Sequence, residues 1–312
     1  MFWHKKQSKS ELSIACSLNE NRYSIAVVEQ NKRVLFSQSR MLTDDSDHVV
    51  IKSLADDVDR LNLIAHDCKL ILLPGQYQLI LMDAPNVPEA DMAKALRWHL
   101  KGFSDYDLDD VLIDSCIVPA NHNNDKHKIF AAITPLLALN KKRALLELAF
   151  LNVTTVTVAE MALKNVLSLM RLIQIIPDNE PVIVISICND VRKLHIIYQD
   201  IFYLIRALLP AQTKDADDPV ELANMHFEIE RSIDYCVNEL NIPEPKRLLF
   251  TPGFHHVINF LKPIGEKLDL IVETIDLNQY LTIEPSLSLE QQHEVFYSIT
   301  GALTLNQEES FL

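Results

Sequence analysis

Three turns carry the residues best suited to gripping a phosphate. The first lies in ACSLNENRYSIAV and offers Ser17 and Asn19 as donors, beside Cys16 and Leu18. The second lies in ISICNDVRKLHI, where Asn189 and Asp190 follow Ser186-Ile187-Cys188. The third is Thr251-Pro252-Gly253-Phe254, which keeps a single glycine. Backbone N–H groups reach phosphate oxygens closely only where no Cβ intervenes, so such loops are normally built from glycine. An acidic side chain, here Asp190, would then hold Mg²⁺. All three turns are short of glycine together. Asn and Asp also favour turns for purely local reasons. The chemistry such turns could offer is phosphate binding, and their shared shortage of glycine argues that tight binding has been given up. ATP and Mg²⁺ are not expected as working cofactors, and hydrolysis is not expected.

Other catalytic constellations are missing. No Gly-x-Ser-x-Gly elbow supports a hydrolase triad. The five cysteines, Cys16, Cys68, Cys116, Cys188 and Cys236, include no C-x-x-C pair and read as reduced core residues. His255-His256 with Glu266 is a poor metal set, since adjacent residues on a helix point in different directions. No metal is expected. Glu228 and Arg231 form an i, i+3 pair that reads as a solvated or contact face.

Composition narrows the field further. The chain of 312 residues has only five glycines and a net charge of −14. The negative field opposes nucleic acid. One basic run, FWHKKQSK near the start, puts Lys5, Lys6 and Lys9 beside Phe2 and Trp3; it reads as a frayed terminus or as a segment that touches an anionic membrane. No apolar run is long enough to span a bilayer, and no secretory leader is evident, so the expected location is the cytoplasm.

The elements that must position these turns alternate in type. LSIACSL, YSIAVVEQ and RVLFSQSR predict a three-stranded meander, followed by a helix between Asp47 and His66. KLILLPGQYQLILMDAP predicts two strands, and Met92, Ala95, Leu96, Leu100 and Phe103 an amphipathic helix starting near Pro88. Two strands, a helix over 137–150, a strand at VTTVTV and a helix over 159–171 follow. A second three-stranded meander begins at Val182, then helices near 219–240, 255–264 and 289–303 alternate with strands at RLLF and LDLIVETI. Two halves that each open with a meander point to a duplicated α/β core.

Three stretches add a resemblance. APNVPEADMAKALRWHLKGFSDYDLDDVLIDSCIV resembles the segment that marks the PilM family of actin-like pilus proteins, through Val87-Pro88, Glu89, Asp91, Arg97-Trp98, Asp109-Asp110 and Asp114. HFEIERSIDY and ITGALTL are similar to two later helices of that family. The resemblance implies an α/β, actin-like (ribonuclease H-like) two-lobed fold with an α+β insert in the first lobe and an MgATP cleft between the lobes, to which the turns with Ser17 and Asn19, Asn189 and Asp190, and Gly253 would belong. Residues 1–82 and 153–178 would form the first lobe, 83–152 the insert and 179–312 the second lobe. It also implies a scaffold of a type IV pilus assembly platform that binds the N-terminal tail of a PilN-like inner-membrane protein. The groove would lie between the first lobe and the insert, with Leu96, Trp98, Leu100 and Phe103 as lining candidates, Trp98 alternatively packing beneath the insert. The membrane would be reached through that partner. Two other readings stand beside it: an active actin-like ATPase whose nucleotide state switches partner binding, and a type II secretion platform protein of the GspL kind.

Overall fold

The computed structural model describes residues 12–42, 46–118, 127–188, 190–208, 219–254 and 258–304. Asn189, His255 and His256 lie outside them.

The chain opens with the expected meander: β1 (Leu12–Leu18), β2 (Arg22–Glu29) and β3 (Arg33–Met41). α1 (Asp47–Arg60) and β4 (Asp67–Leu72) follow. An excursion then comprises β5 (Gln78–Asp83), α2 (Glu89–His99), β6 (Val111–Val118), β7 (Lys128–Pro135) and α3 (Leu136–Leu148). β8 (Asn152–Val158) and α4 (Ala159–Leu172) return the chain to the first sheet. The second meander is β9 (Val182–Cys188), β10 (Val191–Tyr198) and β11 (Ile201–Leu208). After it come α5 (Pro219–Asp234), β12 (Arg247–Phe250), α6 (Ile258–Leu268), β13 (Ile271–Thr274), β14 (Thr282–Ile283) and α7 (Leu289–Ala302).

The two large sheets share one strand order. The first runs β14-β3-β2-β1-β4-β8 and the second β11-β10-β9-β12-β13. In each, the first strand of the meander pairs antiparallel with the second and parallel with a later strand: Cys16 faces Ile25 and Leu70, and Ile185 faces Leu194 and Phe250. Strands buried on both faces read as near-continuous apolar runs. VIVISIC in β9 is such a run, buried almost throughout.

A third sheet, β5-β7-β6, is antiparallel. β7 alternates between two cores. Ile129, Ala131 and Ile133 meet Leu96 and Leu100 of α2, while Phe130 and Ala132 join the main core. The period of two along a strand makes this double coverage possible.

Two departures from the expected division stand out. The third sheet begins at Gln78 in β5, ahead of residue 83. β14 pairs with β3, and α7 packs on β1, β2, β4 and α4, so the end of the chain returns to the first sheet. α7 starts with a capping box, Ser288 with Gln291. Near its end, a Cβ on Gly301 would come within 2.6 Å of Ile71 Cδ1, so glycine there lets the helix lie close on β4.

Candidate functional site

The β1–β2 and β9–β10 hairpins, brought by equivalent strands of the two sheets, meet at one cleft with α7. Ser17, Asn19, Arg22 and Ser24 of the first hairpin face Ile187 and Cys188 of the second, with Leu73 and with His293, Glu294 and Tyr297 of α7. Together they enclose a cavity of about 80 Å³. Sites for small-molecule ligands usually measure roughly 300–1,000 Å³. Arg22 Nη1 donates to Glu294 Oε1 at 3.1 Å across the rim, and the Ser24 and Ser298 hydroxyls are 2.5 Å apart beneath it.

The sequence-derived candidates fall into this picture unequally. Ser17 and Asn19 line the cavity; the Asn19 N–H donates to the Arg22 carbonyl at 2.7 Å, closing the turn. Asp190 sits exposed at its hairpin turn with φ 62°, a left-handed conformation that Asp tolerates better than most residues. Gly253 approaches the cavity wall from behind. A Cβ there would meet Ile187 Cγ2 at 2.4 Å and the His293 ring at 2.7 Å. Its missing side chain accommodates packing between the second hairpin and α7. Among the described residues, no group of three His, Cys, Asp or Glu side chains stands close enough to hold a metal ion.

A buried polar network lies behind the cleft, and the sequence reading did not single it out. Glu160, the second residue of α4, is 3% exposed. Its Oε1 accepts from Lys193 Nζ at 2.6 Å, and its Oε2 accepts from the Tyr77 hydroxyl. Lys193 Nζ also lies 5.0 Å from the centroid of the Tyr77 ring. Lys193 belongs to β10, whereas Tyr77 precedes β5 and Glu160 opens α4, so the ion pair bolts the second hairpin to the first half of the chain. Burial by itself would raise the Glu160 pKa; the Lys193 ammonium, with His195 and Tyr77, outweighs it and holds the carboxyl below its usual range. Burial and the Glu160 charge push Tyr77 well above the ordinary tyrosine range. They also push the Cys188 thiol up to about 12.

His195 completes the network. Its Nε2 is 2.8 Å from the Ser186 hydroxyl, and its Nδ1 has no hydrogen-bond partner among the described residues. Burial lowers its pKa to about 4, against an opposing pull from Glu160. It is a neutral imidazole at neutral pH.

The four groove candidates split into two pairs. Leu96 and Leu100 are core residues, 1% and 0% exposed, packed beneath β6 and β7. They cannot line a groove as they stand, because the face of α2 they share is the one the third sheet covers. Trp98 and Phe103 are 75% and 71% exposed. Trp98 is therefore not packed beneath the insert; Lys101 Nζ lies 5.8 Å from its ring. Its neighbour Arg97 turns inward and ties α2 to β6 through the carbonyls of Leu108 and, at 3.1 Å, Val111.

No family model matches the chain, and no curated protein matches it. Solved structures do. The chain is similar to a protein in a PilM-PilN type IV pilus biogenesis complex, with a TM-score of 0.70 and 12% identity over 95% of this chain and 98% of that one. It is also similar to the cytoplasmic domain of EpsL, an inner-membrane component of the type II secretion system of Vibrio cholerae, with a TM-score of 0.50 and 14% identity over 92% and 94% of the two chains. At these identities the likeness defines the fold: the protein has the actin-like α/β fold. No described helix is long and apolar enough to cross a membrane.

Proposed function

We propose that this protein is a non-catalytic scaffold of a type IV pilus inner-membrane assembly platform, of the MSHA type, the part taken there by MshI. It would work at the cytoplasmic face of the inner membrane and bind the N-terminal tail of a PilN-like membrane protein. The two large sheets would be the two lobes, and the third sheet with α2 the insert. The fold-wide likeness to the PilM-PilN structure supports this reading.

The observation that carries the non-catalytic part is the cleft itself. A cavity of about 80 Å³ does not accommodate MgATP. The one glycine left at the third turn faces Ile187 and His293, and Lys193 behind the cleft is spent on Glu160. The residues present do not fit a nucleotide in this arrangement, so no step is assigned to one. The exposed Trp98 on α2 and Phe103 in the turn after it are the groove residues retained in the proposal.

Thermal melting with and without excess MgATP or ADP tests the first half. A ligand that binds only the folded state raises the melting temperature; an unchanged, cooperative melt is the expected result, and a clear rise overturns it in favour of a switching ATPase. Capture of a peptide carrying a PilN-like cytoplasmic tail tests the second half. The likeness to the EpsL domain favours a type II secretion platform as the second reading, and preferential capture of an EpsL-type partner would select it.

A further inference from the structure

The third sheet ends on an edge that no described element covers. Its strand order, β5-β7-β6, puts β5 outermost, and β7 is the one described element with which β5 makes extensive contact. The register fixes which backbone groups are free. The Ala84 N–H donates to the His127 carbonyl at 2.8 Å, which continues the pairing of Asp83 with Lys128. In an antiparallel pair, successive residues alternate between bonding to the partner strand and facing away from it. Gln78, Ile80 and Met82 therefore bond to β7, and the N–H and C=O groups of Leu79, Leu81 and Asp83 point outward. Among the described residues these outward groups have no hydrogen-bond partner.

Edge strands are normally blunted by a bulge, a lysine or a proline. β5 has none of these, and its pairing with β7 runs without a shift. It carries instead the apolar run Leu79-Ile80-Leu81-Met82, each residue partly exposed. Leu79 and Leu81 lean on the main core, Ile80 and Met82 on the core beneath α2. Both faces of the edge are therefore apolar, and a strand laid beside it should be apolar on both faces too, as a short continuous run. Carboxylates stand at both ends. Asp83 closes the strand, and Asp105 is held beside its start, where the Asp105 N–H donates to Gln78 Oε1 at 3.1 Å. Both are exposed, and neither is in an ion pair among the described residues. From Gln78 to Asp91 the sequence has no lysine or arginine. The flanks of the edge thus attract positive charge.

We propose that β5 captures its partner by strand addition. A short apolar run flanked by basic residues pairs with the outward groups of Leu79, Leu81 and Asp83 and becomes a fourth strand of the third sheet. Main-chain hydrogen bonds hold the run, and Asp83 and Asp105 select its basic flanks. The inference rests on the reading above, in which the occupant is the tail of a membrane protein, and assigns that tail its chemistry. The turn that carries Phe103 runs into Asp105, so it lies beside one end of the added strand. A second copy of the chain fits the edge less well. Antiparallel pairing of β5 with its own copy would set Asp83 of each close to Asp105 of the other, and like charges across a strand pair are unfavourable.

The test is hydrogen exchange of the full chain with and without a synthetic PilN-like tail peptide, followed by NMR at each amide of β5. In the free protein Leu79, Leu81 and Asp83 should exchange fast, and Ile80 and Met82 slowly. Saturating peptide should slow the first three by at least about tenfold. Methylating alternate peptide nitrogens gives a second readout, because only every other N–H of the peptide faces β5. One methylated set should lose binding by on the order of a hundredfold, and the other should bind nearly as before. Asp83→Asn with Asp105→Asn should weaken binding at low salt and have little effect at high salt. Capture of the tail with the β5 amides unchanged, or equal loss from both methylated sets, overturns strand addition and leaves the scaffold reading in place. Failure to capture the tail at all overturns both. A dimer in sedimentation velocity that protects Leu79, Leu81 and Asp83 without peptide would assign the edge to a second copy and overturn the proposal.

Discussion

The two large sheets repeat one topology, yet the hairpins they bring to the cleft are held by different chemistry. In the first, the Leu18 carbonyl at the end of β1 accepts from Gln76 Nε2 at 2.7 Å and from Lys142 Nζ at 2.9 Å. In the second, Lys193 on β10 donates to the buried Glu160 carboxylate, and the Ile187 N–H donates to Thr251 Oγ1 at 3.1 Å. One lysine supports a neutral carbonyl that has a second donor. The other is the main counter-charge of a carboxylate almost without solvent. The same backbone frame thus tolerates very different stakes at matching places, and the more committed one joins the two halves of the chain.

That contrast predicts unequal costs. Lys193→Met leaves Glu160 charged, buried and without its cation, which should cost about 3–5 kcal/mol in urea unfolding. Lys142→Met removes one donor from a carbonyl that keeps another, and should cost about 1 kcal/mol. Similar losses in the two variants would collapse the comparison. Replacing both members of the pair, Lys193→Met with Glu160→Leu, should recover much of the loss, because a well-packed apolar pair avoids the desolvation that an unpaired charge cannot.

The second hairpin should also be the acid-sensitive one. His195 titrates near 4 when folded and near 6.5 when unfolded. Above about pH 6.5 the imidazole is neutral in both states and costs nothing. Between there and pH 4 the unfolded chain takes up the proton and the folded one does not, so stability falls with falling pH by up to about 3 kcal/mol. Glu160, held low in the folded state, adds its own loss only below the ordinary carboxylate range. His195→Gln should flatten the slope between pH 6.5 and 4 and leave the lower limb in place. An unchanged slope would remove His195 from the account.

Gly253→Ala probes the seam between the second hairpin and α7. The new methyl group would meet Ile187 Cγ2 at 2.4 Å, and a β-branched side chain has little room to yield. A loss of about 1–3 kcal/mol is expected, typical of overpacking. A neutral result would mean that the seam is looser than its geometry, and that the glycine is free for another role.

Much of this frame was legible in the chain. The meanders, the parallel strands after them and most helices follow from alternation, from 3.6-residue spacing and from turn residues. The shortage of glycine at the three turns is a property of the sequence itself. The Glu160–Lys193–Tyr77 network was not. Each member looks ordinary locally, and only the fold brings β10 against the start of α4. Lys193 stands two residues before His195 on a strand that is otherwise largely apolar, a faint sign that it has a partner. β14, two residues long, is too short for any periodic signal.

α2 shows where periodicity stops. Spacing says that Leu96 and Leu100 share one face and that Trp98 lies on another, but not which face the third sheet covers. The structure puts the leucines inside and leaves Trp98 and Phe103 outside. The two faces should therefore separate stability from binding. Leu100→Ala empties a core site and should cost about 2–5 kcal/mol, so any loss of partner capture it causes would follow from unfolding. Trp98→Ala removes an exposed side chain and should change stability by less than about 0.5 kcal/mol. If the outer face of α2 receives the partner's tail, Trp98→Ala should weaken capture of a PilN-like peptide while the melting curve stays in place, and Phe103→Ala should do the same to a smaller extent. Capture at wild-type affinity by both folded variants would move the groove away from α2, and the search would turn to the edge strand of the third sheet, β5.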